Sequence, residues 1–503
     1  MSRITHCRLT ACRSCRAGLV LLLASLALIT GCTTATMPIF GIPIPVPRNP
    51  LSTGGILAGY AEGDYQARTW TEAFDLMHAK LSREYPFTEW KGIKWNALYD
   101  RFSVRVADAQ ARSDKRAYYV ALRQYIHSIP DGYMEGSDEE DFRKEAVGGG
   151  FGISVAPLND DVMVAYRIEK GGDAEKAGMK WGAQITQWNG KPIDEALKAA
   201  PDYWSQTPAA TYVGRMLDRC MFLTRGPVGA TATVTFKNRD SQKPQTATLT
   251  ARDDQYAGLG DVVHYAKDFS EVESPFETRT LPGGYGYINI LSQSATMMTP
   301  FPDRAFKKVV DKLNRDKTPG LILDLRGNQG GDMALAKAYA GHFADAKRKL
   351  GQLVAFNPKK GGFALDEQQG IEVEPRDPHF GGPIVVLVHR STRDSGQIIA
   401  RALQGQPNVV VMGALGTEGS LAEIGGEITM PGGYVVHYPV GRYVDDKGNV
   451  LITTNAEYDG GVQPDVVVPA TVKLFEAQFK QERDSLLDAA VAELKRRMSV
   501  AKK

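Results

Sequence analysis

The residues most suited to catalysis lie at the end of an apolar run. Ser395 stands between residues 384–388, which are predicted to form a buried strand, and residues 396–403, which are predicted to form a helix. A serine hydroxyl with an imidazole base can transfer acyl groups, and His389 and His437 are the candidate bases. An ordinary turn serine beside a structural histidine is the alternative interpretation.

A second candidate site is a glycine-rich run, residues 148–152, which leads into an alternating strand. Consecutive backbone N–H groups in such a loop can bind a carboxylate without a charged side chain. The sequence shows no metal-ligand cluster, phosphate-binding loop or dinucleotide fingerprint. We therefore predict neither a metal nor a cofactor.

Alternating strands and helices predict that Ser395 belongs to an α/β domain spanning residues 278–470. The predicted strands are 285–290, 320–325, 384–388 and 409–412, and the predicted helices are 301–313, 333–343 and 396–403. Functional loops of such a domain are expected at the strand ends.

Three further segments flank this domain. Apolar residues at three- and four-residue spacing predict a helical N-terminal cap over residues 64–147. Short strands and turn signals predict a β-rich domain over residues 148–252. Residues 471–503 are predicted to form one amphipathic helix. The predicted fold class is therefore a multidomain α/β protein.

Length, composition and charge agree with such a protein. The chain has 503 residues, of which 43% are hydrophobic and 23% charged. These values exclude wholesale disorder, collagen and coiled coil. The net charge of +2 gives no broad field to attract nucleic acid, so we expect no nucleic-acid partner.

The N-terminus carries the features of an export signal. Four arginines precede an apolar run over residues 17–29, which is shorter than the roughly 20 residues that span a membrane. Residues 28–32 then resemble a bacterial lipobox, which implies a signal peptide at 1–31 and lipidation of Cys32. A plain signal peptide with a chance cysteine is the alternative.

A lipidated Cys32 would anchor the protein to a membrane of the cell envelope. Thr33, which follows it, implies the outer membrane, with the protein facing the periplasm. Residues 32–63 include a proline-rich stretch, and fixed φ angles at proline predict an extended tether that does not pack.

The β-rich segment resembles a PDZ domain. The resemblance is carried by Gly150-Phe151-Gly152-Ile153 and, in order after it, by the strings at 175–179 and 188–193. It implies that the glycine loop binds the C-terminal carboxylate of a polypeptide, which adds as a strand beside the next element.

The α/β segment resembles the tail-specific, or carboxyl-terminal processing, serine peptidases. The resemblance is carried by residues 286–290, by Gly320 to Gly331, by residues 383–388 and by Gly461-Val462-Gln463-Pro464-Asp465. It implies proteolysis by a serine and a lysine base. It also implies that Gly330 and Gly331 donate N–H groups to the oxyanion.

Three positions depart from that family's pattern. The nucleophile position of the strand-to-helix string holds Asp394, and the lysine position holds Ser420. Where some relatives have a histidine in an Asp-Gly-His turn, this chain has Tyr133.

Two interpretations follow from these departures. In one, Ser395 is a shifted nucleophile served by His389 or His437. In the other, the chain keeps the peptidase fold with a degenerate active site, and is a non-catalytic scaffold or adaptor that binds polypeptide C-termini. Asp324 and Arg326 are predicted to form a strand-end ion pair.

Overall fold

The computed structural model describes residues 34–39, 42–47, 63–241, 243–259, 269–457 and 459–500. The chain divides into two units, Met1–Ala58 and Gly59–Lys503. The predicted signal peptide and Cys32 lie outside the described residues.

The first unit contains a hairpin where the sequence predicts an unpacked tether. Strands β1 (Thr34–Ile39) and β2 (Ile42–Pro47) pair in antiparallel fashion. Pro43, Pro45 and Pro47 alternate along β2, so the edge that lacks N–H groups is the one turned away from β1. This spacing lets a proline-rich segment pair, which corrects the prediction.

The second unit begins with the helical cap. Its elements are β3 (Gly63–Asp64), α1 (Trp70–Glu84), α2 (Trp95–Ala111), α3 (Lys115–His127), β4 (Glu135–Gly136) and α4 (Glu140–Val147). Thr69 and Glu72 form a capping box that starts α1. Phe74, Phe102 and Tyr125 are buried between the first three helices, and both phenylalanines meet the Tyr125 ring edge to face.

The β-rich domain follows the cap. Its elements are β5 (Gly149–Gly150), β6 (Ile153–Pro157), β7 (Met163–Ile168), α5 (Asp173–Lys176), β8 (Gln184–Trp188), β9 (Lys191–Pro192), α6 (Ile193–Lys198), α7 (Tyr212–Leu223), β10 (Arg225–Gly226), β11 (Thr231–Lys237), β12 (Gln245–Thr250) and β13 (Arg252–Asp253). The main sheet has the order β12-β11-β8-β7-β6, which places β6 at its edge. The short strand β5 lies between β10 and β13 in a separate sheet.

The α/β domain is built on a second six-stranded sheet. Its elements are β14 (Phe276–Leu281), β15 (Tyr285–Ile290), α8 (Pro302–Arg315), β16 (Leu321–Asp324), α9 (Met333–Gly341), β17 (Arg348–Asn357), β18 (Gly362–Val373), β19 (Ile384–Leu387), α10 (Ser395–Leu403), β20 (Val409–Gly413), β21 (Ala422–Thr429), β22 (Val435–Val444) and β23 (Val466–Val467).

In this sheet the order is β14-β15-β16-β19-β20-β23, and all strands from β15 onward are parallel. The four strands predicted from the sequence are confirmed as β15, β16, β19 and β20. Because parallel strands end at one edge, the loops after β15, β16 and β19 meet there.

A further sheet was not predicted from the sequence. It has the order β18-β17-β22-β21-β3, with β4 paired to β22. Its strands have register shifts, and Pro439 lies within β22, so their periodicity is broken. Since β3 and β4 come from the cap, this sheet joins the cap to the α/β domain.

The C-terminal segment forms two helices, α11 (Val472–Lys480) and α12 (Ser485–Val500), where one was predicted. Between them Glu482 has a φ of 51°, which a helix cannot contain. Ala490 and Leu494 of α12 pack against Ile322 and Val385 of the sheet. None of the described helices combines the length and apolar character needed to cross a membrane.

Candidate active site

The loop after β19 turns into α10 at Asp394, where the resemblance places a nucleophile. Asp394 has φ 46° and ψ −131°, a strained backbone for a residue other than glycine. Its Oδ1 accepts a hydrogen bond from the Tyr133 hydroxyl at 2.5 Å, and its Oδ2 accepts one from the Gly331 N–H at 3.1 Å. This strand-to-helix turn at Asp394, which we call the elbow, therefore carries a carboxylate that accepts one hydrogen bond at each oxygen.

Burial raises the pKa of Asp394, and the hydrogen bonds from Tyr133 and Gly331 oppose that rise. Burial also raises the pKa of the Tyr133 hydroxyl, and the neighbouring Asp394 adds to it. Tyr133 therefore acts here as a proton-bearing donor to the carboxylate.

The two glycines predicted to form an oxyanion hole already have acceptors. The Gly331 N–H donates to Asp394, and the Gly330 N–H donates to Asn328 Oδ1 at 2.9 Å. A Cβ on Gly330 would lie 2.4 Å from the Cβ of Asp394, so the glycine loop is packed directly on the elbow. The structure thus corrects the predicted oxyanion role of both Gly330 and Gly331, because each N–H group already has an acceptor within the protein.

Ser395 points into the protein. It is fully buried, and its hydroxyl donates to Gln293 Oε1 at 2.9 Å. Neither predicted base reaches it, because His389 Nδ1 contacts Ser391 and His437 Nδ1 lies 3.6 Å from Glu427. The predicted role of Ser395 as a nucleophile is therefore corrected. Ser395 is one residue after Asp394, and at that position of the helix its side chain points to Gln293 in the loop after β15.

The other two positions that differ from the family pattern, Ser420 and Tyr133, lie in the same cluster as Asp394. Ser420 is fully buried, and its hydroxyl accepts a hydrogen bond from the Gly132 N–H at 3.0 Å. Gln397 of α10 donates to the Ser420 carbonyl at 2.5 Å and accepts from the Thr417 hydroxyl at 2.6 Å. Tyr133, Asp394 and Ser420 are distant in the sequence, and the fold brings their three segments together.

Charged residues that the sequence analysis missed surround this cluster. Lys91 of the cap is buried, and its ammonium donates to the Pro130 carbonyl at 2.7 Å. Burial lowers the pKa of Lys91, whereas Asp131 and Glu418 raise it. Burial raises the pKa of Glu418, and Arg393 opposes that rise. No local pattern marks Lys91, because it is brought in by a separate domain.

A cleft of about 770 Å³ lies beside the cluster. Its lining includes Trp204, Gln329, Ser391, Arg393, Glu418 and His437. Ser391 accepts a hydrogen bond from the Gly327 N–H at 3.1 Å, and its hydroxyl lies 2.9 Å from Nδ1 of the buried His389. Asp394, Tyr133 and Ser395 are not among the described residues that line this cleft.

The glycine loop that is predicted to bind a carboxylate packs against neighbouring segments of the β-rich domain. Gly150 pairs with Arg225 of β10 on one side and with Arg252 of β13 on the other. The Phe151 N–H donates to the Thr224 carbonyl at 3.0 Å, and the Phe151 ring meets Trp188 edge to face. Gly152 has a φ of 74°, the left-handed backbone that glycine permits.

After this loop Ile153 begins β6, where it pairs with Ile168 of β7. The opposite edge of β6 is not paired to another strand of the main sheet. This unpaired edge of β6 is where the resemblance would place an added peptide strand.

A largely parallel sheet with a strand-to-helix elbow, a glycine loop facing that elbow and a β-rich accessory domain define a peptidase-type α/β protein. Residues 284–468 match the profile of Peptidase family S41. This part of the chain is therefore similar to the tail-specific, or carboxyl-terminal processing, proteases.

Two curated relatives are carboxy-terminal processing proteases, which is consistent with this match. The chain is 26% identical over 326 residues to the carboxy-terminal processing protease CtpA of Bacillus subtilis (strain 168), covering 64% of this chain and 58% of that protein. It is 24% identical over 285 residues to the carboxy-terminal-processing protease of Bartonella bacilliformis, covering 56% and 54% respectively. The chain thus spans a little over half the length of these relatives.

Solved structures share the fold at low identity. Mature CPAF has a TM-score of 0.59 at 12% identity, covering 85% of this chain and 97% of that one. Mature CPAF complexed with lactacystin has a TM-score of 0.57 at 12% identity, covering 85% and 98%.

Proposed function

We propose that this protein binds polypeptides as its family does, and that its active site has lost serine acyl transfer at the family's usual position. The observation that carries the proposal is the Asp394 carboxylate at the elbow, held by Tyr133 and Gly331. An ionised carboxylate only accepts hydrogen bonds. It also puts negative charge where an oxyanion would develop.

The surrounding contacts support the same proposal. Ser420 offers a hydroxyl where the resemblance expects an amine, and Ser395 is bonded to an amide, not to a base. A general base must lie within hydrogen-bond reach of the proton that it removes. The described neighbours of Ser395 supply none.

A second candidate function is favoured by the contact between Ser391 and His389. The Ser391 hydroxyl lines the cleft and lies 2.9 Å from an imidazole nitrogen, which is the distance of a nucleophile and its base. Against this, the Gly327 N–H already donates to the same hydroxyl. This candidate is a hydrolase with a relocated serine.

The test compares the wild type with Ser395→Ala and Ser391→Ala. We expect none of the three to react with a fluorophosphonate probe or to cleave an unfolded reporter protein above buffer rates, measured by gel fluorescence and peptide release. Cleavage that is lost only in Ser395→Ala would restore the shifted-nucleophile interpretation. Cleavage that is lost only in Ser391→Ala would establish the relocated serine.

We further propose that the β-rich domain binds polypeptide C-termini in the manner of a PDZ domain, and that its clients are proteins of the cell envelope. The glycine loop at residues 150–153 and the position of β6 at the end of its sheet support the first part. The export features of residues 1–31 support the second.

The same features support an anchor at the envelope, with Cys32 lipidated and the protein facing the periplasm from the outer membrane. We expect alkynyl-palmitate labelling of the protein in a bacterial host and its recovery in the membrane fraction. Cys32→Ser should lose both, whereas Cys15→Ser, in the predicted signal, should keep both. Labelling that persists in Cys32→Ser would contradict the anchor.

A further inference from the structure

The proposed peptide groove of the β-rich domain is covered by a segment of this chain, residues 254–259, which we call the strap. The short helical turn Ala257–Leu259 lies against both β6 and α7. The Ser154 hydroxyl of β6 donates to the Gly258 carbonyl at 3.3 Å, and Arg167 of β7 donates to the Ala257 carbonyl. The strap therefore lies beside the sheet edge where an added peptide strand would pair.

A carboxylate anchors the strap beside the glycine loop. Asp254 accepts from two nitrogens of Arg225, at 2.6 and 3.1 Å. Arg225 is buried, and it also donates to the carbonyls of Val147 and Gly148, which precede the loop. A bidentate pair of this kind is among the stronger polar contacts in proteins. A Cβ on Gly150 would lie 2.5 Å from Asp254 Oδ2, so this carboxylate reaches the glycine loop.

The strap is held in an unfavourable conformation. Gln255 and Tyr256 have φ angles of 49° and 60°, the left-handed region that costs energy for residues other than glycine. The centroid of the Tyr256 ring lies 4.8 Å from the Arg143 guanidinium and 4.9 Å from the Arg225 guanidinium. Its hydroxyl is buried, and no hydrogen-bond partner for it occurs in the described part of the chain.

We propose that the strap is an internal ligand that closes the peptide groove, and that an incoming polypeptide C-terminus displaces it by taking the place of Asp254 on Arg225. The inference rests on the proposed binding of C-termini. A strong anchor combined with two strained residues and an unpaired hydroxyl gives a closed state that a competing carboxylate can open, because ligands shift such equilibria by their preference for one state. The strap also indicates the class of ligand that would replace it, because Asp254 and Tyr256 correspond to a polypeptide carboxylate with an aromatic residue nearby.

The test measures peptide binding to the full protein by fluorescence anisotropy. The probe is a fluorescein-labelled peptide that ends in the strap's own sequence, Gln-Tyr-Ala-Gly-Leu, with a free carboxylate, and its amidated form is the reference ligand. We expect Asp254→Ala to bind the free-carboxylate probe at least about ten-fold more tightly than the wild type, because the closed state loses its anchor. The amidated probe should show no such gain.

Two further variants complete the design. Gln255→Gly removes strain from the closed state and should weaken probe binding about five-fold. Asp240→Ala removes the exposed ion pair with Lys180 in the same domain and should leave affinity unchanged. Because Gln255→Gly acts in the opposite direction, a general loss of stability cannot imitate the expected pattern.

Each outcome decides between the two proposals. Equal probe binding by wild type, Asp254→Ala and Gln255→Gly would overturn the strap and leave C-terminus binding intact. An equal gain for the amidated probe would overturn the exchange on Arg225. No binding by any variant would overturn C-terminus binding in this groove, and the strap proposal with it. If circular dichroism shows that Asp254→Ala is unfolded, unchanged affinity in Gln255→Gly overturns the strap.

Discussion

Arg326→Met is expected to lower the free energy of unfolding by about 3–5 kcal/mol, the range for removing one partner of a buried ion pair. Arg326 is buried, and its guanidinium contacts Asp324 at 2.6 Å and Asp484 at 2.7 Å. Without it, two carboxylates face each other with no cation between them. The contact also joins the end of β16 to the start of α12, so its loss should loosen the C-terminal helix.

The measurement is urea denaturation followed by circular dichroism. The matched control is Arg376→Met, which removes a partly exposed pair with Asp303 and should cost less than about 1 kcal/mol. Asp324→Asn combined with Arg326→Met should recover part of the loss, because it removes one uncompensated charge. A cost for Arg326→Met no larger than that of the control would contradict the ion-pair account.

Glu423→Gln is expected to remove a pH dependence of stability worth about 3 kcal/mol between pH 4.5 and 8.5. Burial raises the pKa of Glu423 to about 7; the Tyr443 hydrogen bond opposes this rise, and Asp394 and Asp366 add to it. Since the folded pKa lies above the usual value for glutamate, the folded state favours the protonated form. Its stabilising contribution is complete below about pH 4.3 and is lost as the pH rises through 7.

The wild type should therefore lose stability relative to Glu423→Gln as the pH rises, with the steepest change between the unfolded pKa of about 4.3 and the folded pKa of about 7. Urea denaturation at steps of half a pH unit measures the difference. Glu457→Gln, at an exposed position, is the control and should follow the wild type at every pH. Parallel pH profiles for wild type and Glu423→Gln would show that Glu423 is not protonated in the folded protein at neutral pH.

Much of the α/β domain could be predicted because its signals are local. An apolar run such as Leu321–Asp324 is buried on both faces of a parallel sheet, so its composition alone indicates a strand. The ion pair of Asp324 and Arg326 joins residues two apart, and its prediction is confirmed. The second sheet was missed because its strands carry register shifts and an internal proline, which break the period of two that sequence analysis relies on.

The sequence by itself determined which residue types occupy the positions that differ from the family pattern, namely Asp394, Ser420 and Tyr133. It also determined that these positions do not supply the serine and lysine that the family uses. Only the tertiary structure decided what these residues do. The Tyr133 hydroxyl reaches Asp394 across 261 residues, and the Gly132 N–H reaches Ser420 across 288. A hydrogen bond depends on the position and direction of both groups to within a few tenths of an ångström, and that relation is set by how the cap packs on the α/β domain, which no local pattern encodes.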